Sequence, residues 1–449
     1  MSSIKITNAV LLTMDRRKRI LNGATITTKD DKISEIVNKH EKTTESDYDH
    51  VIDARGMIVM PGLINCHVHT VQTLFKGISP EGLKLLHWLE KYIFPMESVM
   101  DSEEVYTSSL LGYAEMIRSG TTTCADMQSL RYVDKAFEAA EKIGIRATIA
   151  KAMNDHDAIP ETLREGSAES IKESQRLIKI WNNKDNGRLR CMFGPTFIQG
   201  CSKELLKETS EIANMDKIGI HTHAAESLDE VKKDFFRFKK RSVEILNDFD
   251  MVRPSTLLAH CIHISEKEFE ILFRKRTNVI HCPSSNLKLA SGICSVPKLL
   301  NKQINVALGV DGAACNNNLD MFKDMRLAAL LSQISIGSKD FTTSAMNVLE
   351  MATNSGAKAL NMEDKIGSLE VGKKADMILV NINNIETTPL FNIPNQLVYS
   401  TDGHNIETVI IDGKIILKNR KLSYINEEKL ILESQLKAKQ IAEKSGISR

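Results

Sequence analysis

Four short pieces of this chain carry residue types that do chemistry together. They are Pro61-Gly62-Leu63-Ile64-Asn65-Cys66-His67-Val68-His69, His221-Thr222-His223-Ala224-Ala225-Glu226, His260-Cys261-Ile262-His263 and Gly309-Val310-Asp311-Gly312. Imidazoles and carboxylates are the groups that hold a divalent transition metal. Residues at i and i+2 of a strand share one face. His67 and His69 can therefore grip one ion from a single strand end. His223 and His260 each close a further apolar run, and Asp311 follows another. Ligands dispersed this way suit a barrel, where several strand ends converge on one point.

Each piece also has a plainer reading. Glu226 opens an ordinary helix start, Glu226-Ser-Leu-Asp-Glu, yet beside His223 it is placed to reach a substrate or a metal-bound water. His221 is read as structural, turned to the face opposite His223. His263 and His281 compete with His260, and His281 is assigned a supporting place behind it. Asp311-Gly312 could be a tight turn, but the long polar stretch Ala313-Ala-Cys-Asn-Asn-Asn-Leu-Asp suits a site loop better.

Three histidines and an aspartate with an open position describe a catalytic site rather than a closed structural one. An ion held so lowers the pKa of its water from ~15.7 towards ~7. Attack on an sp² carbon then needs a proton delivered to the ring nitrogen or leaving group, a task for Glu226. His260 can orient the nucleophile and stabilise the tetrahedral intermediate, and Asp311 can accept the water's proton. The reaction class is hydrolytic substitution: deamination, dechlorination or amide-ring opening.

The elements that must position these groups alternate. Apolar strand-like runs at 60–67, 121–127, 146–152, 190–194, 219–223, 256–260, 278–282 and 305–310 are separated by amphipathic patterns such as 103–119, 132–144, 167–182 and 202–215. Eightfold strand–helix alternation predicts a parallel (β/α)8 TIM barrel, an α/β fold, over 61–364. Residues 1–60 read as strands at 4–13, 23–28, 32–37 and 51–59. After Gly367 come a strand at 377–380 and a hairpin, 408–411 and 414–417, with an Asp412-Gly413 turn. Residues 1–60 and 365–425 are therefore expected to build one small β-sandwich domain. Two unrelated β extensions are the alternative. Residues 426–449 form a charged terminal segment with an amphipathic helix over 427–445, expected to pack on the surface.

Composition narrows the function. Among 449 residues, 42% are hydrophobic and 26% charged, and the net charge is +1. Nothing in that balance favours nucleic acid or a membrane as partner. The eight cysteines are scattered singly with no CxxC, so a disulfide framework is not expected and a cytoplasmic setting is. The H-x-E and P-C-x-x-C pieces of cytidine-type zinc deaminases are absent.

With these residues in view, the chain resembles the amidohydrolase superfamily. It is most similar to the branch that holds methylthioadenosine/S-adenosylhomocysteine, 5′-deoxyadenosine, guanine and pterin deaminases and triazine hydrolases. The resemblance rests on 61–69, His223-Ala-Ala-Glu226, Leu258-Ala-His260-Cys-Ile-His263, His281-Cys-Pro-Ser-Ser-Asn-Leu-Lys-Leu-Ala-Ser-Gly292, Leu308-Gly-Val-Asp311 and Gly367-Ser-Leu-Glu-Val-Gly-Lys-Lys-Ala-Asp376. It implies one divalent ion, Zn2+ or in some members Fe2+, on His67, His69, His223 and Asp311. It implies catalysis by Glu226, His260 and Asp311, a heteroaromatic amine as substrate, and a homo-oligomer. Glu97 matches a glutamate that adenosine-type deaminases place on the ribose hydroxyls. Two positions depart from the S-adenosylhomocysteine type: Thr196 stands where a histidine contacts the purine, and Lys151 where an arginine helps bind the carboxylate. Both are carried as candidate substrate-binding residues with Glu97 and Glu226. The leading expectation is deamination of an adenosine-type nucleoside at C6, giving the inosine form and ammonia. A free purine or pterin deaminase and a dechlorinating triazine hydrolase are the alternatives.

Overall fold

Eight strands pair in chain order, each parallel to the next: Leu63–Val68, Thr121–Met127, Arg146–Met153, Leu189–Pro195, Gly219–Ala224, Thr256–His260, Asn278–His281 and Asn305–Leu308. They are seen in a computed structural model that describes residues 3–38, 47–334 and 343–447. The expected segments 1–60, 61–364 and 426–449 each include a few residues that lie outside the described ones. The last strand returns to the first, with Asp311 N–H donating to His67 O at 2.9 Å and Val310 N–H to Asn65 Oδ1 at 3.1 Å. Gly309 permits that approach, because a Cβ there would lie 2.7 Å from His67 Cβ. The result is the expected TIM barrel.

The strands are buried along most of their length, as a parallel sheet covered on both faces requires. Helices separate them, and their start signals are local. Asp101 with Glu104, Ser227 with Glu230 and Ser265 with Glu268 are reciprocal capping boxes at Ser102–Arg118, Leu228–Phe238 and Glu266–Lys275. Val133–Ile143 ends at Gly144, whose φ of +90° is the left-handed stop that glycine favours.

The first barrel strand begins at Leu63, not residue 60. Met57–Pro61 belongs to a second sheet, where it runs antiparallel to Met377–Asn381. This nine-stranded sheet joins both ends of the described chain, from Ser3–Leu12 to Lys421–Leu422. The expected strand at 51–59 is broken into His50–Asp53 and Met57–Pro61, with Gly56 at φ +76° between them. The sheet curls until its edge strand Lys32–Val37 meets 372–375, with Ile33 N–H on Lys373 O and Gly372 N–H on Ile33 O, both 2.9 Å. Its faces close on a core that includes Ile4, Ile6, Ile26, Val59, Leu379 and Ile410. Asp412 and Gly413 make the expected tight hairpin turn, both at positive φ.

The terminal helix Glu427–Lys444 lies against Ser102–Arg118. Ile441 is buried in the cluster that holds Val71, Phe75 and Trp88, and Lys444 Nζ reaches Glu104 Oε1 at 2.7 Å. It packs as a surface helix, and its exposed face mixes charged side chains with Ile431, Leu432 and Leu436. No helix among the described residues is long and apolar enough to cross a membrane.

One buried ion group ties the two sheets. Arg146, at the start of the third barrel strand, donates to Asp376 Oδ2 at 2.6 Å and Oδ1 at 3.0 Å, and to Asp412 Oδ1 at 2.6 Å. Arg146 and Asp376 are almost fully buried. Removing one member of such a group strands the others without a countercharge, at a cost of about 3–5 kcal/mol. Arg146→Met is expected to lower the free energy of unfolding by about that amount, read from the denaturant midpoint. A change below about 1 kcal/mol would show that the ion group does not tie the sheets together.

Candidate metal-dependent active site

The site stands at the C-terminal ends of the barrel strands. His67 lies in the first strand, and His69 just past it. His223 lies in the fifth, His260 ends the sixth, and Asp311 lies past the eighth. His69 Nε2 and His223 Nε2 are 3.2 Å apart. Asp311 Oδ1 is 3.3 Å from His67 Nε2 and 3.4 Å from His69 Nε2. His67, His223 and His260 form a second convergent group, with ligand atoms within 4.8 Å of one another.

The other ring nitrogens are tied down. His69 Nδ1 meets Met127 O at 2.9 Å and His223 Nδ1 meets Thr196 O at 2.6 Å. A carbonyl oxygen only accepts, so each Nδ1 carries the proton and each Nε2 keeps its lone pair. His67 Nδ1 meets His221 Nε2 at 2.7 Å. The Nε2 of His67 is buried and faces Asp311 Oδ1. Bare lone pairs converging on a buried carboxylate are costly unless a cation joins them. His67, His69, His223 and Asp311 thus fit one divalent ion, with His260 beside it.

Burial sets the protonation states. It pushes His67, His221 and His223 well below the ordinary imidazole range. It also pushes Glu226 well up, reinforced by the Asp311 charge and opposed by the Ser291 hydroxyl. Burial alone would raise Asp311 too, but the imidazoles around it, His67 first, then His260 and His69, hold it well below the usual range. Glu226 Oε2 lies 3.5 Å from His260 Nε2, and Asp311 Oδ2 4.0 Å from it. A carboxyl whose pKa is pushed up and one whose pKa is pushed down thus flank one imidazole. That is the separation acid–base chemistry needs.

The backbone is strained where it presents these groups. His260 has φ +70°, Asp311 +59° and Ala225, just before Glu226, +50°. Non-glycine residues rarely adopt such values, at a cost of about 1–3 kcal/mol each, and they cluster where function demands a particular aim.

A cavity opens from the cluster, bounded by His69, His223, Glu226, His260 and Asp311 on one side and by Trp88, Leu89, Phe94 and Glu97 on another. Glu97 accepts from Gln72 Nε2 at 2.9 Å, and burial raises its pKa. Gln72 packs on Gly312, where a Cβ would lie 2.3 Å from its Oε1. The glycine after Asp311 thereby makes room for the residue that holds Glu97.

The amidohydrolase family profile matches residues 58–416. The chain belongs to the amidohydrolase family. A 5′-deoxyadenosine deaminase of Methanosarcina acetivorans is 42% identical over 98% of this chain and 99% of its own length. A 5-methylthioadenosine/S-adenosylhomocysteine deaminase of Thermoanaerobacter pseudethanolicus is 36% identical over 98% of this chain and all of its own. A crystal structure of an adenosine deaminase from Xanthomonas campestris with bound zinc superposes with a TM-score of 0.93 at 27% identity, covering 98% of this chain and 99% of that one.

The amidohydrolase site departs from the sequence reading at two residues, His221 and Lys151. His221 does not turn away from His223. Two residues apart in a strand, they share a face, and both rings lie within 5 Å of the His67 ring. His221 supports His67 directly. Lys151 is not brought to the cavity: its buried ammonium is committed to Glu165 and to Ala152 O at 3.0 Å. A strand alternates its faces, and Lys151 falls on the side that meets the helix Ser167–Trp181, near Ser170. Thr196 does line the cavity, with its hydroxyl on Asn154, but it is its carbonyl that orients His223. His263 is held on Ser291 O at 2.6 Å. His281 is buried with its pKa pushed down to about 3, by burial and then by His260, so it serves as a neutral neighbour.

Gln72, Asn154 and Asn286 escaped the sequence reading, since neutral amides carry no spacing signal. Stripping the protein with a chelator is expected to lower Tm by several degrees, and one equivalent of a divalent ion to restore it. An unchanged Tm with the ion removed would contradict the metal site.

Proposed function

We propose that this amidohydrolase is a zinc-dependent deaminase of adenosine-type nucleosides, with 5′-deoxyadenosine, methylthioadenosine and S-adenosylhomocysteine as the substrate group. Water displaces the 6-amino group, giving the inosine form and ammonia. The observation that carries the reading is Glu97. It is a half-buried carboxylate on the same cavity as the metal cluster, and a carboxylate can accept both hydrogen bonds of a vicinal diol. A free base has no such diol. The named activities of the relatives support the same choice.

The chain's own residues divide the work. Zinc at the histidine–aspartate set would supply the Lewis acidity that makes water nucleophilic near neutral pH. Glu226, kept neutral by burial, donates its proton to the ring nitrogen beside C6 and recovers one from the C6 hydroxyl as the carbonyl forms. Asp311, kept ionised, receives the proton released by the attacking water and passes it to the departing amine. His260 stands between these carboxyls and orients the attacking water, whose O–H its Nε2 can accept. The apolar wall of Trp88, Leu89 and Phe94 packs the purine and limits water.

Ammonia release separates the readings. Zinc-loaded protein is expected to deaminate the three adenosine derivatives and adenosine, and to leave guanine, a pterin and a chlorotriazine nearly untouched. Release from guanine or the pterin alone would overturn the proposal. Asp311→Asn is expected to reduce turnover by at least a thousandfold, because an anionic ligand and a proton acceptor go together; a loss under tenfold would refute its role. Glu97→Gln is expected to raise KM for nucleosides about tenfold, the worth of one charge-assisted hydrogen bond. An unchanged KM would remove Glu97 from ribose recognition.

A further inference from the structure

One short segment after the seventh barrel strand touches all three proton-handling groups. Ser285 Oγ donates to Asp311 Oδ2 at 2.6 Å. Asn286 Oδ1 lies 2.8 Å from His260 Nδ1. Ser291 Oγ donates to Glu226 Oε1 at 3.3 Å. All three are buried, and none lines the cavity. The helix Pro283–Lys288 carries the first two. Asn286 also ties the segment's ends, its N–H on Cys282 O at 3.0 Å and its carbonyl accepting from Ser291 N–H at 2.8 Å.

We propose that 283–291 is the positioning element of the reaction, with Ser285, Asn286 and Ser291 each aiming one proton-handling group. The inference rests on the proposed deaminase reading. Its core is a division of labour at Asp311. Oδ1 faces His67 and His69 and takes the Gly312 N–H at 2.8 Å. Oδ2 takes Ser285 and faces His260. Ser285 thus sets the oxygen that trades protons and leaves the metal-facing oxygen alone. Asn286 acts likewise on His260. By accepting from Nδ1–H it leaves the Nε2 lone pair directed at Glu226 and Asp311, where that nitrogen is buried without another partner.

These are positioning residues, so the test needs readouts that simple loss of packing would not give. Ser285→Ala and Asn286→Leu are each expected to lower kcat about tenfold or more, the worth of one hydrogen bond, with KM within about threefold of wild type. Zinc retention against a competing chelator should match wild type in both, as should Tm within a few degrees. Asn286→Asp, which keeps the acceptor, should hold kcat within about threefold. Loss of zinc from Ser285→Ala would overturn the division at Asp311. A raised KM with unchanged kcat, or Asn286→Asp as slow as Asn286→Leu, would overturn the positioning role. Should Asn286→Leu fail to fold, Asn286→Asp and Ser291→Ala decide it: both near wild-type KM and zinc retention, with Ser291→Ala alone losing kcat about threefold, supports the proposal, and an unchanged kcat in Ser291→Ala overturns it. Wild-type protein inert on every adenosine derivative would instead sink the deaminase reading.

Discussion

The hydrogen bond from Asp311 N–H to His67 O closes the barrel, and the chemistry depends on it. It brings the first strand end beside the last, across more than 240 residues of chain. Without it, two histidines and an aspartate have no common neighbour. Gly309 is what lets the strands meet, and Gly312 lets Gln72 settle against the same corner. Barrel closure, metal grip and the wall that presents Glu97 are therefore one structural decision. The positive φ of Asp311 belongs to that decision, because the chain must turn sharply to bond backward to the first strand while its carboxylate faces inward.

Around that corner, backbone carbonyls aim two of the metal-facing imidazoles. Met127 O and Thr196 O fix the tautomers of His69 and His223, whatever side chains those positions carry. This explains how Thr196 can stand where relatives of another substrate type are expected to have histidine. The supporting contact comes from the main chain and survives the exchange. The side chain is then free to change what the cavity binds. Burial completes the arrangement by pushing the Glu226 pKa up, while the surrounding imidazoles hold that of Asp311 down.

Much of this was legible in the chain itself. Strand–helix alternation, capping boxes and the Asp412-Gly413 turn are local signals, and the elements they predict lie within a few residues of where they form. The metal-binding candidates were legible because histidine at a strand end is chemically distinctive. Lys151 was misplaced because what stands across from a residue is not written in its neighbours, whereas His221 was misread against the two-residue alternation that puts it on the His223 face. Ser285, Asn286 and Ser291 sat in a recognised stretch with no visible role, since serine and asparagine are common at any helix start.

What the sequence by itself determined was the kind of protein and the identity of its reactive groups. Period, punctuation and residue chemistry are properties of neighbouring residues, and they need no folding to be read. The tertiary structure alone decided which groups share a partner. It set Gln72 on Glu97, committed Lys151 to Glu165, and placed Ser285 on one oxygen of Asp311 while Gly312 took the other. Those outcomes depend on contacts between residues far apart in the chain and on the exclusion of water around them. A hydrogen bond or charge gains its directing power only once that low-dielectric setting exists.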